Sequence, residues 1–157
     1  AIPEACGGFF PRKRFSCMTN DEILAGLNDQ WPPCVQLLGG HGTAYDQGRR
    51  ELTMTYEAKP EHCHSGDIVQ GGFITAMIDA TMAYAVMGVK DGIEGIATLE
   101  IKVSFMAPGR PGPMTCRGWP VNMGRSIGHL EGDLRQGGRL IATSTTTVKL
   151  VRPKPAA

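Results

Sequence analysis

The sequence predicts a single α+β domain in which a curved antiparallel sheet wraps around one long, apolar helix. Residues 71–89 are the most apolar segment of the chain, begin with two glycines and contain one ionisable side chain, Asp79. The segments on either side alternate apolar and polar residues, as half-buried strands do. Because a helix that is apolar nearly all round has to be covered on most sides, a wrapping sheet is the economical solution for a short chain.

The composition excludes several classes of protein. The 157 residues carry 16 basic and 15 acidic side chains without a sustained run of either sign, so no nucleic-acid or membrane partner is expected. An odd number of cysteines, five, without a C-x-x-C pair favours free thiols in the cytoplasm. No apolar stretch of signal-peptide length follows the N-terminal basic cluster. Residues 71–89 approach the length of a membrane span, but their central carboxylate argues against one.

The N-terminal region is predicted to contain an arm and a short helix. Residues 1–19 hold Pro, Gly and basic side chains without periodicity, which indicates a poorly ordered arm before one domain at residues 20–157. A polar cap at Thr19, followed by two acids, predicts the start of a helix. Trp31-Pro32-Pro33 is expected to end it.

Six strands are predicted from alternation and turn residues. They span residues 35–45, 50–58, 98–105, 114–123, 126–135 and 140–151, with hairpin turns at 46–48 and 136–138. In the third strand we expect Leu99 and every second residue as far as Phe105 to face the core, with Thr98 turned outward. Pro120 indicates an edge or a bulge in the fourth strand.

Asp79 is the residue at which the sequence points to chemistry. Burial of an unpaired carboxylate is costly or shifts its pKa, so a chain that keeps one in an apolar helix generally uses it or pairs it. One alternative is a structural acid satisfied by Thr75 or Thr81. The preceding pair Gly71-Gly72 either exposes N–H groups at the positive end of the helix dipole or only permits tight packing.

Residues 64–72 form the most specific pattern in the chain. They read HSGDIVQGG and lead into the apolar helix, with Asp79 eight residues after the first glycine. Together with residues 97–108, 123–126 and 138–142, this pattern resembles the hotdog-fold acyl-CoA thioesterases of the phenylacetate-degradation type. The motif of that family is N-x-x-G-x-x-H-G-G before a helix with an acid at the same spacing.

Three positions depart from the family motif. His64 stands where the family has asparagine, Gln70 stands where it has histidine, and Gly66 lies one place earlier than the usual glycine. The side chains of His64 and Gln70 can still donate a hydrogen bond, so both positions keep the donor that the active site of the family uses.

The resemblance implies a hotdog fold and hydrolysis of an acyl-CoA without a cofactor. Gly71 would offer its N–H to the thioester carbonyl, which can approach closely because glycine has no side chain. Asp79 would act as a nucleophile or as a general base, and the sequence does not choose between them. The other implied residues are His64 and Gln70 beside the thioester, Thr98 as a hydroxyl that orients water, and Gly72, Arg125 and Ser126 as substrate-binding residues.

Other functions were weighed against this one. A hotdog dehydratase would need a histidine and acid pair in a different motif, whereas a non-catalytic acyl-CoA-binding module would not need Asp79. His62-Cys63-His64 suggests a metal site, but in an extended chain His62 and His64 face one way and Cys63 the other, and no third and fourth ligands stand nearby. Aromatic, short-chain and medium-chain acyl groups all remain compatible with the sequence.

The spacing of Gly71 and Asp79 predicts how the protomers assemble. Eight residues of helix separate them by about 12 Å, too far for both to reach one carbonyl carbon. Two protomers with antiparallel helices would bring Gly71 of one chain opposite Asp79 of the other. The sequence therefore predicts a homodimer, or a dimer of dimers, with sites at the interface.

Overall fold

The computed structural model describes residues 18–88 and 92–153, so residues 1–17 of the predicted arm lie outside it. The helices are α1 (Asn20–Asn28), α2 (Pro33–Leu37) and α3 (Gly71–Met87), with a single 3₁₀ turn at Pro60–His62. The strands are β1 (His41–Asp46), β2 (Glu51–Ala58), β3 (Cys63–Ser65), β4 (Ile68–Val69), β5 (Gly95–Phe105), β6 (Gly112–Met123), β7 (Ile127–Gln136) and β8 (Arg139–Val151).

Six of the strands form one antiparallel sheet in the order β1-β2-β6-β7-β8-β5, and β3 pairs with β4 in a separate hairpin. Helix α3 packs against β2, β5, β6, β7 and β8. A sheet of which five strands contact one helix confirms the predicted architecture. Within the described ranges, neither α3 nor another helix is long and apolar enough to cross a membrane.

Helix α3 packs closely against two glycines at the centre of the sheet. Gly118 on β6 and Gly132 on β7 are direct cross-strand partners. A Cβ atom at Gly118 would lie only 2.7 Å from the Cα of Met82, and one at Gly132 would lie 3.0 Å from the Cγ2 of Ile78. The backbone of the helix therefore approaches the sheet to a distance that only glycine permits.

Buried hydroxyl groups fix the position of α3 along and around its axis. The Tyr56 hydroxyl lies 2.9 Å from Thr81 Oγ1, which itself donates to the carbonyl of Met77 at 2.9 Å. Further along, the Tyr45 hydroxyl donates to the carbonyl of Ala85 at 2.8 Å. Burial raises the pKa of Tyr56 well above its ordinary value, so this hydroxyl stays protonated and remains a donor.

The predicted N-terminal helix is confirmed as α1. Thr19 is its N-cap, and its hydroxyl accepts a hydrogen bond from the Glu22 N–H while the Glu22 carboxylate accepts one from the Thr19 N–H. This reciprocal arrangement is a capping box. The helix ends at Asn28, before the tryptophan and the two prolines.

Two predictions for the first seventy residues were wrong or incomplete. The strand expected at 35–45 begins only at His41, because Pro33 starts the short helix α2, in which proline occupies the first turn where its missing N–H costs nothing. The β3-β4 hairpin was not predicted at all. Strands of three and two residues are too short to show an alternating pattern.

The prediction of which side chains face the core at the start of β5 was also wrong. The pairing of β5 with β8 shifts register between Thr98 and Glu100, which identifies a bulge. As a result Leu99, expected in the core, is 58% exposed, and the Thr98 side chain points to α3. A bulge changes the face of every residue on one side of it, and alternation alone gives no sign of where it falls.

The remaining strand and turn predictions are confirmed. Pro120 lies at a register shift between β6 and β7, so of the two predictions for this proline, an edge or a bulge, the bulge is correct. Strand β2 pairs with β6 only as far as Gly118. The missing N–H of proline therefore removes no bond to β2. In the β7-β8 turn, Gly137 and Gly138 have φ angles of +56° and +81°, as the tight hairpin requires.

Replacement of Gly118 by alanine should weaken the packing of α3 against the sheet. The added methyl group meets helix backbone atoms that cannot swing away, so we expect a loss of about 1–3 kcal/mol in the free energy of unfolding, measured by urea denaturation. Gly26→Ala is the matched control, since Gly26 is an exposed residue of α1 with open space around it and should gain up to about 1 kcal/mol. Wild-type stability of Gly118→Ala would show that the helix does not depend on this contact.

Candidate active site

The N-terminus of α3 presents one free backbone donor. The Gln70 side chain caps the helix by accepting the Gly72 N–H at 2.5 Å, and the Gln70 carbonyl accepts the Phe73 N–H at 3.0 Å. No acceptor for the Gly71 N–H exists among residues 18–88 and 92–153. This N–H lies at the positive end of the helix dipole and is therefore available to an incoming oxygen atom.

An aromatic ring that sequence reasoning missed lies against Gly71. A Cβ atom at Gly71 would lie 2.9 Å from the Cζ of Phe105, the last residue of β5. The same side chain is 51% exposed. The sequence predicted that Phe105 faces inward, but no local signal could reveal that its ring ends at the first residue of α3.

Asp79 receives its hydrogen bond from the sheet. Thr98 Oγ1 donates to Asp79 Oδ1 at 2.9 Å. The hydroxyls of Thr75 and Thr81 instead donate to helix carbonyls four residues earlier in the chain. Thr75 and Thr81 are therefore not the partners of the acid, and the bulge in β5 supplies Thr98 instead.

The pKa of Asp79 is raised above its ordinary value. Desolvation by burial is the larger cause, and the hydrogen bond from Thr98 opposes it in part. A carboxylate with a raised pKa is a better proton acceptor than an ordinary aspartate once it is ionised. This is a physical property that a general base requires, although structural acids can share it.

The N–H of Gly71 and the carboxylate of Asp79 lie at opposite ends of the contact between α3 and β5. Phe105 touches Gly71 at the start of the helix, and Thr98, near the start of the strand, bonds to Asp79 two turns further along. The rise of an α-helix puts about 12 Å between Gly71 and Asp79. Within one chain, a single carbonyl group cannot contact both.

The other predicted site residues are more dispersed. His64 is exposed on β3, where its Nδ1 lies 2.7 Å from Ser65 Oγ, and in the described ranges it has no hydrogen bond to Gln70. Arg125 and Ser126 lie in the exposed turn between β6 and β7. The Arg125 carbonyl accepts a hydrogen bond from the Arg152 side chain, and the Ser126 carbonyl accepts one from the Leu150 N–H of β8. One protomer therefore groups Gln70, Gly71 and Gly72 at the helix start but not the full predicted set.

The histidines near β3 do not share a site. His62 is buried, stacks on Phe73 with ring centroids 4.5 Å apart and accepts the Lys59 N–H through Nδ1, whereas His64 is exposed. Among the described residues, no group of three or more His, Cys, Asp or Glu side chains could hold a metal ion.

Comparison with known proteins gives the family. Residues 66–143 match the model of the Thioesterase superfamily. A phenylacetic acid degradation-related protein of Ralstonia eutropha is 30% identical, with a TM-score of 0.74 over 83% of this chain and 98% of that chain. A candidate esterase of Saccharolobus solfataricus is 28% identical over 110 residues, 69% of this chain and 76% of that protein. A Streptococcus pneumoniae protein crystallised with coenzyme A shares the fold, with 17% identity and a TM-score of 0.65 over 74% of this chain and 88% of that chain.

An antiparallel sheet around one long central helix is the hotdog fold, and in this chain the helix begins with a glycine pair and carries a carboxylate two turns later. The chain belongs to the thioesterase superfamily and is a thioester hydrolase. The fold and the family inferred from residues 64–72 and Asp79 are confirmed.

Asp79→Asn should stabilise the protein at neutral pH. Because folding raises the pKa of Asp79, the protonated form is favoured in the folded state, and this contribution to stability is lost as pH rises through the folded-state pKa. Asparagine keeps an acceptor for Thr98 without the charge. We expect the variant to melt at a higher temperature than wild type at pH 7, with a difference that shrinks toward acidic pH. Equal melting temperatures at every pH would contradict the raised pKa.

Proposed function

We propose that the protein is an acyl-CoA thioesterase that releases CoA and a carboxylic acid and works as a two-fold homodimer. Membership of the thioesterase superfamily supports thioester hydrolysis in general. The complex of the S. pneumoniae relative with coenzyme A supports CoA as the thiol component. A cytoplasmic location fits the odd number of cysteines without a C-x-x-C pair.

One observation carries this proposal: a free N–H at Gly71 and a carboxylate with a raised pKa at Asp79 lie on the same helix but too far apart for one substrate. A two-fold axis that makes two α3 helices antiparallel resolves the conflict. Each site then combines Gly71 of one protomer with Asp79 and Thr98 of its partner, and the dimer contains two equivalent sites.

The position of β5 favours this mode of assembly. With β1, it is one of the two edge strands of the six-stranded sheet formed by the described residues, and it contacts α3. A long, uncovered edge strand is a template for pairing with another chain. Antiparallel pairing of two β5 strands would extend the sheet across the dimer and bring the two helices side by side. A dimer of dimers would require a second interface.

The proposed chemistry begins at the thioester carbonyl. Its oxygen accepts the Gly71 N–H, which also stabilises the negative charge of the tetrahedral intermediate. Gln70 and His64 are assigned positions beside the thioester. Because its Oε1 already accepts the Gly72 N–H, Gln70 retains its amide nitrogen as a second donor.

Asp79 would complete the reaction in one of two ways. As a general base it takes a proton from a water molecule oriented by Thr98; the water attacks the carbonyl carbon, the C–S bond breaks, and CoA leaves as a thiolate that takes up a proton. As a nucleophile it forms a mixed anhydride and expels the CoA thiolate, and water then hydrolyses the anhydride. Gly72, Arg125 and Ser126 are assigned to the binding of CoA, whose phosphates suit an exposed arginine.

A panel of acyl-CoAs with a thiol-detecting reagent tests this function. We expect wild type to release free CoA, and Asp79→Asn to lose about 10²–10⁴-fold in kcat while its affinity for CoA stays unchanged. Asp29→Asn, which removes an exposed acid at the end of α1, is the control and should keep full activity. Tight binding by wild type without CoA release would identify a non-catalytic binding module instead.

A mixing experiment tests the shared site. Asp79→Asn and Gly71→Pro should each be inactive, since proline removes the N–H donor at a first-turn position that tolerates it. After subunit exchange, half of the dimers are mixed and each has one intact site of two, so about a quarter of wild-type activity should return.

Gly71→Ala is the matched control for the proline variant. It introduces the same Cβ atom next to Phe105 but keeps the N–H, which separates loss of the donor from a steric effect. If verified mixed dimers of the two folded variants stay inactive, the shared-site arrangement is wrong.

A further inference from the structure

The Phe105 ring covers the side of Gly71 from which a side chain would project. The nearest ring atoms to a Cβ placed there are Cζ at 2.9 Å, Cε1 at 3.3 Å and Cε2 at 3.5 Å. The end of the ring therefore points at the Cα of Gly71. Because the Cα and the nitrogen of one residue are a single bond apart, the ring and the N–H donor border the same small region at the helix start.

The position of the ring is set by the backbone of β5. Phe105 pairs with Ala142 on β8, and the next N–H, that of Met106, donates to the Ile141 carbonyl at 2.8 Å. The strand end that carries Phe105 is thus held by the sheet. About half of its side chain remains exposed in one protomer and can meet a ligand. Phe73, another aromatic residue near the helix start, already stacks on His62.

We propose that Phe105 determines acyl specificity by limiting bulk at the carbon next to the thioester carbonyl. This inference rests on the proposed function, in which the Gly71 N–H binds that carbonyl. The first acyl carbon lies one bond from the carbonyl carbon, so a branch there competes with the ring for the same space. The preferred substrates are acyl-CoAs that are unbranched at this carbon.

The test compares kcat/KM for butanoyl-CoA and 2-methylbutanoyl-CoA in wild type, Phe105→Ala and Phe105→Trp. Wild type should prefer butanoyl-CoA. Phe105→Ala opens space for the branch and should reduce the preference by about tenfold or more, the range that a methyl-sized difference in a pocket can produce. Phe105→Trp should increase it. Met106→Ala, at a 57% exposed neighbouring residue, is the control and should leave the preference unchanged.

The ratio of the two substrates separates specificity from folding and assembly. Both are measured on one preparation, so loss of folded dimer lowers the two values of kcat/KM together and leaves their ratio intact. If Phe105→Ala is too unstable, Phe105→Leu replaces it and should change the ratio of the two kcat/KM values in the same direction by a smaller amount. An unchanged ratio in these variants, or loss of all activity in every one of them, overturns the role of Phe105.

Failure of the proposed function gives a different result. If wild type cleaves no acyl-CoA of the panel, both the proposed function and this inference fall. If it cleaves another acyl-CoA of the panel but neither of these two, the same comparison is made with the unbranched and 2-methyl forms of that acyl group. If wild type cleaves both and the ratio does not respond to residue 105, only the specificity assignment is wrong.

Discussion

The close contact between α3 and the glycine pair at Gly118 and Gly132 is the constraint on which the rest of the structure depends. A single methyl group at Gly118 would lie 2.7 Å from helix backbone atoms, so the helix sits directly on the sheet. Five strands contact the helix, and the face that carries Ile78, Met82 and Val86 is buried against them.

A bulge in β5 links the fold to the chemistry of the site. The extra residue between Thr98 and Glu100 turns the Thr98 hydroxyl toward α3, where it donates to Asp79, and leaves Leu99 exposed. One local irregularity therefore gives the carboxylate its hydrogen-bond partner and changes the surface of the edge strand. Burial of Asp79 raises its pKa and lowers stability when the group is ionised, and the hydrogen bond from Thr98 opposes that rise in part.

The start of α3 shows how a helix can be capped and still keep one donor free. Gln70, which replaces the histidine of the family motif, accepts the Gly72 N–H through its side chain. A capped helix end normally leaves its first N–H groups to side chains, water or ligands. Here the cap takes the second N–H of the helix and leaves the first, at Gly71, without an acceptor among the described residues. The aromatic ring of Phe105 lies beside that donor.

The sequence by itself determined the α+β class, the long helix from Gly71, the principal strands and the family, because these depend on periodicity and on residues close together in the chain. It also singled out Gly71 and Asp79 and, from helix geometry, their separation. Only the tertiary structure decided that Thr98 faces Asp79 and that Phe105 meets Gly71. The two contacts join residues 19 and 34 positions apart. Both depend on how the strand lies along the helix, and the Thr98 contact also depends on the bulge; long-range packing sets these features and no local pattern records them.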